Sequence, residues 1–228
     1  RARTTVSSLT SDGPPPASTS TDSATSIALP AVRPRGTSIA VMSAVVGFPI
    51  HRGVLALASR GPSRAPRELL AGLPASSLVV GVCGVTNHDN VGGIFRNAAA
   101  FGADAVLLDG ASCDPLYRKA IRVSVGASIA VPFARGGAEV DVVRGLLEAG
   151  YAVFALTPRG ELDVAALGPE DVPPRSALVV GAEGTGLAAE TMALARGLRV
   201  TMAPGWDSLN VGVACGIGLH ALRAARRG

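Results

Sequence analysis

Near its C-terminus the chain reads Asp207-Ser208-Leu209-Asn210-Val211-Gly212-Val213-Ala214, and this stretch decides the fold when it is combined with two others. The others are Asn90-Val91-Gly92-Gly93-Ile94-Phe95-Arg96 and Gly181-Ala182-Glu183-Gly184-Thr185-Gly186. Each stretch places glycines and hydrogen-bonding side chains where a predicted strand gives way to a loop or a helix. Open α/β sheets hold their ligands at such strand ends. The three stretches therefore predict a ligand site on an α/β fold.

Short apolar runs alternate with helical patterns from residue 76 onward. The runs are rich in Val, Leu and Ile, as buried parallel strands are. They predict strands at 78–85, 105–108, 128–132, 152–156, 177–181 and 198–202. Helices are predicted at 92–101, 115–123, 139–149, 187–195 and 210–226. Alternation of this kind predicts a mostly parallel sheet with helices on both faces.

The composition is that of a globular protein with a basic balance. Of the 228 residues, 48% are hydrophobic and 4% aromatic, so the core consists mainly of Ala, Val and Leu. The net charge of +4 suits a polyanionic partner without proving one. Lys119 is the single lysine among 21 basic residues, and so strong a bias towards arginine indicates G+C-rich coding more than function.

The cysteines and the apolar segments indicate the cellular compartment in which we expect the protein. The sequence has three cysteines, Cys83, Cys113 and Cys215, which lie far apart. Because their number is odd and none are closely spaced, the sequence predicts neither a zinc site nor a disulfide framework. No secretory signal pattern is present at the start of the sequence. The longest apolar stretch, 39–50, is too short for a bilayer, which needs about 20 residues. We expect a cytoplasmic protein that does not bind membranes.

Taken together, the three stretches resemble the signature of the SpoU-type (TrmH-like) RNA 2′-O-ribose methyltransferases of the knotted SPOUT superfamily. The resemblance covers residues 78–226. It implies a trefoil knot near the C-terminus, S-adenosyl-L-methionine as cofactor, RNA as substrate and a homodimer. Because the sulfonium already makes the methyl group electrophilic, the reaction requires no metal. The activity implied is methyl transfer to a ribose 2′-hydroxyl of RNA.

The chain is expected to have three parts. Residues 1–38 hold 15 Ser or Thr and five Pro, which predicts a disordered low-complexity segment. Residues 39–75 are interpreted as the truncated remnant of a small substrate-binding domain and a linker. Their His51-Arg52-Gly53 is similar to sequences that follow this domain in the family, although an exposed loop histidine explains His51 equally well. Residues 76–228 are the predicted methyltransferase domain.

Two of the stretches also have simple structural interpretations. Asp89 or Asn90 can cap the helix that follows the first strand, and Asp207 or Ser208 can cap the last helix. Gly92 and Gly93 allow another backbone or a ligand to approach closely. The resemblance adds functional roles, and the catalytic residues that it implies are Asn90, Arg96, Glu183, Ser208 and Asn210.

Cofactor contacts are implied on three loops. The candidates are Thr157, Gly181, Gly186, Val200, Met202 and Leu209. Family members commonly carry Ile-Pro-Met where this chain has Val200-Thr201-Met202, and the exchange of Ile for Val keeps the apolar contact. Trp206 can stack on a base or simply cover its loop, and the sequence does not choose between the two.

RNA contacts are implied for Arg96, Arg118 and Arg122. The last two lie with Lys119 on a predicted basic helix face, which a solvated surface explains nearly as well. The remnant in 39–75 favours ribosomal RNA over transfer RNA as the substrate. Because an arginine side chain is very hard to deprotonate, Arg96 is better suited to clamp phosphate and a developing alkoxide than to act as a base.

Two other classes of function compete with this interpretation. A catalytically silent RNA-binding protein could keep the same fold, but the five implied catalytic residues are all present. A nucleotide-binding oxidoreductase would need a Gly-x-Gly-x-x-Gly fingerprint followed by an acidic residue, and the 181–186 loop lacks both.

Overall fold

A parallel sheet of seven strands lies at the centre of residues 60–226, which are the residues that the computed structural model describes. The strands are β1 (Ser77–Val82), β2 (Ala105–Leu108), β3 (Phe133–Arg135), β4 (Ala152–Leu156), β5 (Leu162–Asp163), β6 (Arg175–Val180) and β7 (Arg196–Arg199). The helices are α1 (Pro66–Ala71), α2 (His88–Ala100), α3 (Arg118–Val123), α4 (Ala127–Ala130), α5 (Glu139–Glu148), α6 (Ala189–Met192) and α7 (Val211–Ala225). Two 3₁₀ turns, Val164–Ala166 and Pro169–Asp171, follow β5.

The strand order is β3-β2-β1-β6-β4-β7-β5, which differs from the order along the chain. From β1 the chain moves outward to β2 and β3, and then crosses to the other half of the sheet. β6 later inserts between β1 and β4, pairing Ser77–Val82 with Arg175–Val180 over their whole length. All six pairings are parallel, so the carboxyl ends of the strands share one edge.

Helices cover both faces of the sheet. Because successive strand residues point to opposite faces, Val80 and Val82 pack on one side and Val79 on the other. The first face is covered by α2 and α7, with Phe95, Leu219 and Leu222 fully buried, and the second by α1 and α5. The predicted α/β architecture with two helical layers is therefore confirmed.

Most of the predicted elements differ from the structure in their bounds, and three differ most. Residues 128–132 are not a strand: Ala127–Ala130 forms α4, and the strand begins after Pro132, at Phe133. The cause is local, since the Ser124 hydroxyl accepts the Ser128 N–H at 3.2 Å and stabilises a turn there. The helix predicted at 187–195 shrinks to α6, and the strand predicted at 198–202 lies at Arg196–Arg199, where it pairs with β4.

Other expectations lie beyond what the structure describes. Residues 1–38 and 39–59, with His51, fall outside the described residues, and the division of the chain into three parts stays a prediction. The knot also stays a prediction, since strand order alone does not define how a chain is threaded. No helix within 60–226 is long and apolar enough to cross a membrane.

The two adjacent glycines of α2 have different surroundings. A Cβ on Gly92 would lie 2.8 Å from the Ala120 carbonyl oxygen and from Val123 Cβ, whereas a Cβ on Gly93 would meet nothing within 4 Å. Gly92 is thus required for α3 to pack closely on α2. Gly93 instead faces open space.

Gly92→Ala should therefore lower the free energy of unfolding by about 1–3 kcal/mol, the usual cost of overpacking. Gly93→Ala, one residue along the same helix, should raise it by up to about 1 kcal/mol, because alanine is the better helix former. Urea unfolding of both variants measures the difference. Equal stabilities would contradict this account of the contact between α2 and α3.

Candidate active site

The three stretches singled out in the sequence meet at the carboxyl edge of the sheet. The stretch 90–96 follows β1, the stretch 181–186 follows β6 and the stretch 207–214 follows β7. β1 and β6 are neighbours in the sheet. The pairing of Val82 with Val180 places the loops after these two strands side by side. This edge is where parallel sheets bind ligands, because the loops diverge where the strand order reverses.

Three side chains, one from each stretch, form a hydrogen-bonded group that we call the polar cluster: Asn90, Glu183 and Asn210. The Asn90 amide donates to Glu183 Oε1 at 2.7 Å. The Asn210 amide donates to Asn90 Oδ1 at 2.9 Å and lies 3.4 Å from Glu183 Oε1. Asn90 is only 6% exposed, so both ends of its amide need partners, and the cluster supplies them. The cluster brings together three of the five implied catalytic residues.

The capping residues differ from the two pairs expected. Asn87, rather than Asp89 or Asn90, caps α2 by accepting the Asp89 N–H at 2.9 Å. Asn210, rather than Asp207 or Ser208, caps α7 by accepting the N–H groups of Gly212 and Val213. An Asn, Asp or Ser can each cap a helix, so the spacing of polar residues alone could not identify the cap. Asn210 consequently has two roles. Its side-chain Nδ2 donates within the polar cluster, and its Oδ1 caps α7.

A second buried network fixes the loop after β1. Asp109, which is 3% exposed, accepts the Gly84 N–H at 3.0 Å and the Ser112 hydroxyl at 2.6 Å. Ser112 Oγ in turn accepts the Val85 N–H and lies 3.2 Å from the Val82 carbonyl oxygen. These bonds set the path of the chain into α2 and so the position of Asn90. The sequence carried no sign of this role for Asp109 and Ser112.

A groove of about 560 Å³ opens beside the cluster between α2 and α7. Asn90, Arg96 and Asn210 line it, together with His220 at its far end. The Arg96 side chain is exposed and has no hydrogen bond or ion pair with any residue in 60–226, so its charge is available to a ligand. Asn97 donates its side-chain N–H to the Gly212 carbonyl at 2.7 Å and so joins α2 to α7. The sequence did not indicate this contact, although Asn97 adjoins Arg96.

The glycine-rich loop after β6 folds back on itself. A Cβ on Gly181 would lie 2.5 Å from the carbonyl carbon of Gly186, so the close fold of the loop requires a glycine at this position. Gly186 lies at φ +68° and donates to the Ala182 carbonyl at 3.0 Å. Within residues 60–226, the backbone N–H groups of 183–185 have no acceptor, which leaves them open for a ligand.

The loop after β7 is apolar and largely exposed. Val200 and Met202 are half-buried, whereas Leu209 is 41% and Trp206 75% exposed. Ser208 is exposed and bonds to no residue in the described part of the chain. Thr157, after β4, donates its N–H to the Leu198 carbonyl at 2.9 Å and therefore lies next to the start of this loop. The predicted cofactor residues thus come from the ends of three adjacent strands.

The predicted basic face of α3 is smaller than expected. Lys119 forms an ion pair with Asp89 at 2.8 Å, which neutralises it. Arg118 and Arg122 are exposed and form no ion pair with residues 60–226. Only these two side chains of the helix therefore remain available to a phosphate.

The cysteines are poor nucleophiles in this fold. Burial is the main cause that raises the pKa of the Cys83 thiol, and Asp109 raises it further. Burial also raises the pKa of Cys215 to about 12 and, more weakly, that of Cys113. A thiolate attack on a substrate is thus disfavoured at each cysteine. Among residues 60–226, no group of His, Cys, Asp and Glu is arranged to hold a metal ion.

Comparison with known proteins agrees with this arrangement. Residues 77–220 match the model of the SpoU rRNA methylase family. A tRNA/rRNA methyltransferase of Mycobacterium tuberculosis, itself uncharacterised, is 39% identical over 79% of this chain and 62% of its own length. The 23S rRNA (guanosine-2′-O-)-methyltransferase RlmB of Salmonella typhi is 32% identical over 74% of this chain and 69% of its own.

Solved structures show the same likeness. An rRNA methyltransferase from Sinorhizobium meliloti, crystallised with bound AdoMet, aligns with a TM-score of 0.63 and 30% identity. The alignment covers 73% of this chain and 62% of that one. The chain thus belongs to the SpoU rRNA methylase family, and it spans about three-fifths of the first relative and of this structure.

The two candidate caps of α7 can be separated by stability. Asn210→Ala should lower the free energy of unfolding by about 1–2 kcal/mol, because it removes the helix cap. Ser208→Ala should change it by less than about 0.5 kcal/mol, as expected for an exposed residue that bonds to no described residue. Thermal unfolding of the two variants checks this. A larger loss for Ser208→Ala would show that the cap had been assigned to the wrong residue.

Proposed function

We propose that the chain transfers a methyl group from S-adenosyl-L-methionine to the 2′-hydroxyl of a ribose in RNA, with ribosomal RNA as the preferred substrate. The observation that carries the proposal is the polar cluster beside the exposed Arg96. It joins the three family stretches at the ligand edge of the sheet. The name of the Salmonella relative, which specifies 2′-O methylation of 23S rRNA, supports both parts of the proposal.

The loops after β4, β6 and β7 suit an adenosine-containing cofactor. They offer the backbone N–H groups of 183–185, which have no acceptor among the described residues, and the apolar side chains of Val200, Met202 and Leu209. A purine and its ribose need such a combination of apolar surface and a few polar groups. Thr157, Gly181 and Gly186 shape the same cleft. S-adenosyl-L-methionine supplies there a methyl group bonded to a positively charged sulfur.

Arg96 acts on the RNA side of the reaction. Methylation of a 2′-hydroxyl forms an O–C bond while the S–C bond of the methyl donor breaks and leaves a neutral thioether, and the hydroxyl proton passes to the solvent. Arg96 stabilises the negative charge that develops on the 2′-oxygen and binds a neighbouring phosphate, since its guanidinium is permanently charged and has no partner within 60–226. Asn90, Asn210 and Ser208 orient the ribose, and Glu183 holds the two asparagines in place. Arg118 and Arg122 contact the phosphate backbone further along the RNA.

The exposed face of α7 is the proposed homodimer interface. Val213 is 52% and Ile217 37% exposed on this helix, and two grooves run along its sides with Ile217 and His220 in common. Apolar side chains exposed together on one helix mark an interaction surface. The groove with Arg96 opens onto this face, so a second copy of the chain would close it.

The proposed activity is tested by transfer of tritiated methyl groups from S-adenosyl-L-methionine to unmodified ribosomal and transfer RNA, offered separately. We expect label in an alkali-resistant dinucleotide from ribosomal RNA, because 2′-O-methylation blocks alkaline cleavage. Label in transfer RNA alone would contradict the substrate preference. Cofactor binding by calorimetry without any label would favour the catalytically silent RNA-binding protein.

In the same assay, Arg96→Ala should lower the rate about 100-fold or more, which is the usual loss when a charge-stabilising group is removed. Its affinity for S-adenosyl-L-methionine should stay unchanged, because Arg96 lies on the RNA side. Arg144→Ala is the control, since Arg144 is also exposed but pairs with Glu190 on the other side of the sheet. Loss of both activity and cofactor affinity in Arg96→Ala would indicate a folding role instead.

Two matched variants test α7 as the proposed dimer interface. Ile217→Glu should convert the protein to a monomer at micromolar concentration, because it buries a charge in an apolar interface. Leu194→Glu, at a site 36% exposed compared with 37% for Ile217, should leave the dimer intact. Light scattering measures both masses. A monomeric wild type, or a dimeric Ile217→Glu variant, would count against α7 as the interface.

A further inference from the structure

The loops that follow β4 and β7 are tied together at their outer side by three residues, Asp163, Arg199 and Thr201, which we call the clasp. Arg199 Nη1 donates to the Gly160 carbonyl at 2.8 Å, and its Nε lies 3.3 Å from Asp163 Oδ2. The Thr201 hydroxyl donates to the same Asp163 oxygen. The clasp thus joins the segment after Thr157 to the start of the segment that carries Val200 and Met202.

Thr201 is the last anchor of the loop after β7. From Met202 to Leu209, no backbone or side-chain group bonds to any described residue outside this loop; the internal bond from Trp206 N–H to the Ala203 carbonyl lies within it. The next anchor is Asn210, through the polar cluster. Among the described residues, hydrogen bonds therefore hold this loop at its two ends, through Thr201 and Asn210.

Asp163 is suited to act as the fixed end of this anchor. Its other oxygen accepts the Ala165 N–H at 2.9 Å, which caps the 3₁₀ turn at Val164–Ala166. The pKa of Asp163 is held below its ordinary value, first by the Thr201 hydroxyl and then by the Ala165 N–H. A charged acceptor forms stronger hydrogen bonds than a neutral one.

We propose that Thr201, through its hydrogen bond to Asp163, is a positioning residue for the S-adenosyl-L-methionine site. The proposal rests on the function proposed above. Thr201 does not contact the cofactor itself. It restricts the conformations of the loop 202–209, so that the apolar side chains of Met202 and Leu209 lie against the cofactor without a further loss of loop entropy on binding.

The test compares three variants of the full chain by calorimetry with S-adenosyl-L-methionine. Thr201→Val has nearly the same shape but lacks the hydroxyl, and it should bind the cofactor about tenfold more weakly, the loss expected for a hydrogen bond to a charged group. Thr201→Ser keeps the hydroxyl and should bind like the wild type. Arg196→Gln removes a similar exposed tie, to Asp171, at the amino end of the same strand and should also bind like the wild type.

Amide hydrogen exchange supplies a readout that does not depend on activity. The Trp206 N–H, which is the one amide of 202–209 with an acceptor among the described residues, should exchange faster in Thr201→Val than in the wild type, Thr201→Ser or Arg196→Gln. The amides of the central strands should exchange at the same rate in all four proteins. If Thr201→Val bound S-adenosyl-L-methionine as tightly as the wild type does, the inference about Thr201 would be wrong and the proposed function would stand. Absence of binding already in the wild type would overturn the proposed function, and the inference with it.

Discussion

The carboxylate of Glu183 holds together three segments that are far apart in the sequence. It accepts hydrogen bonds from Asn90 at the start of α2 and from Asn210 at the start of α7. Asn90 is nearly buried, and a buried amide that loses a partner costs about 1–3 kcal/mol. Each member of the group therefore depends on the other two. The loops on either side of the group, and the groove with Arg96, take their positions from these bonds.

The sheet makes this meeting possible. β6 inserts between β1 and β4, so the glycine-rich loop after β6 lies directly beside the loop after β1. β4 and β7 follow on the other side, which places the loops with Thr157 and Val200 next to each other. The edge therefore has two neighbouring parts: the groove between α2 and α7, where we propose that RNA binds, and the loops over β6, β4 and β7, where we propose that the cofactor binds.

Much of the fold could be predicted from short patterns. The strands at 105–108 and 152–156 have the predicted bounds, because a strand buried on both faces is a continuous apolar run with polar ends. The strand expected at 128–132 was wrong, since a serine hydroxyl and a left-handed Gly126 turn the same apolar run into a helix. The helix caps were also wrong, because neighbouring Asn, Asp and Ser residues offer the same capping chemistry.

The sequence by itself determined the family and the alternation of strands and helices, since these depend on residue type and periodicity, and it supplied the residues that we propose for the chemistry. Only the tertiary structure decided which side chains meet. The strand order and the helix packing bring distant residues together. They place Asn90 within hydrogen-bond distance of Glu183 and Thr201 within that distance of Asp163, and they pack α3 closely against Gly92. Periodicity tells which side of a strand is buried. It does not tell which strand lies beside it.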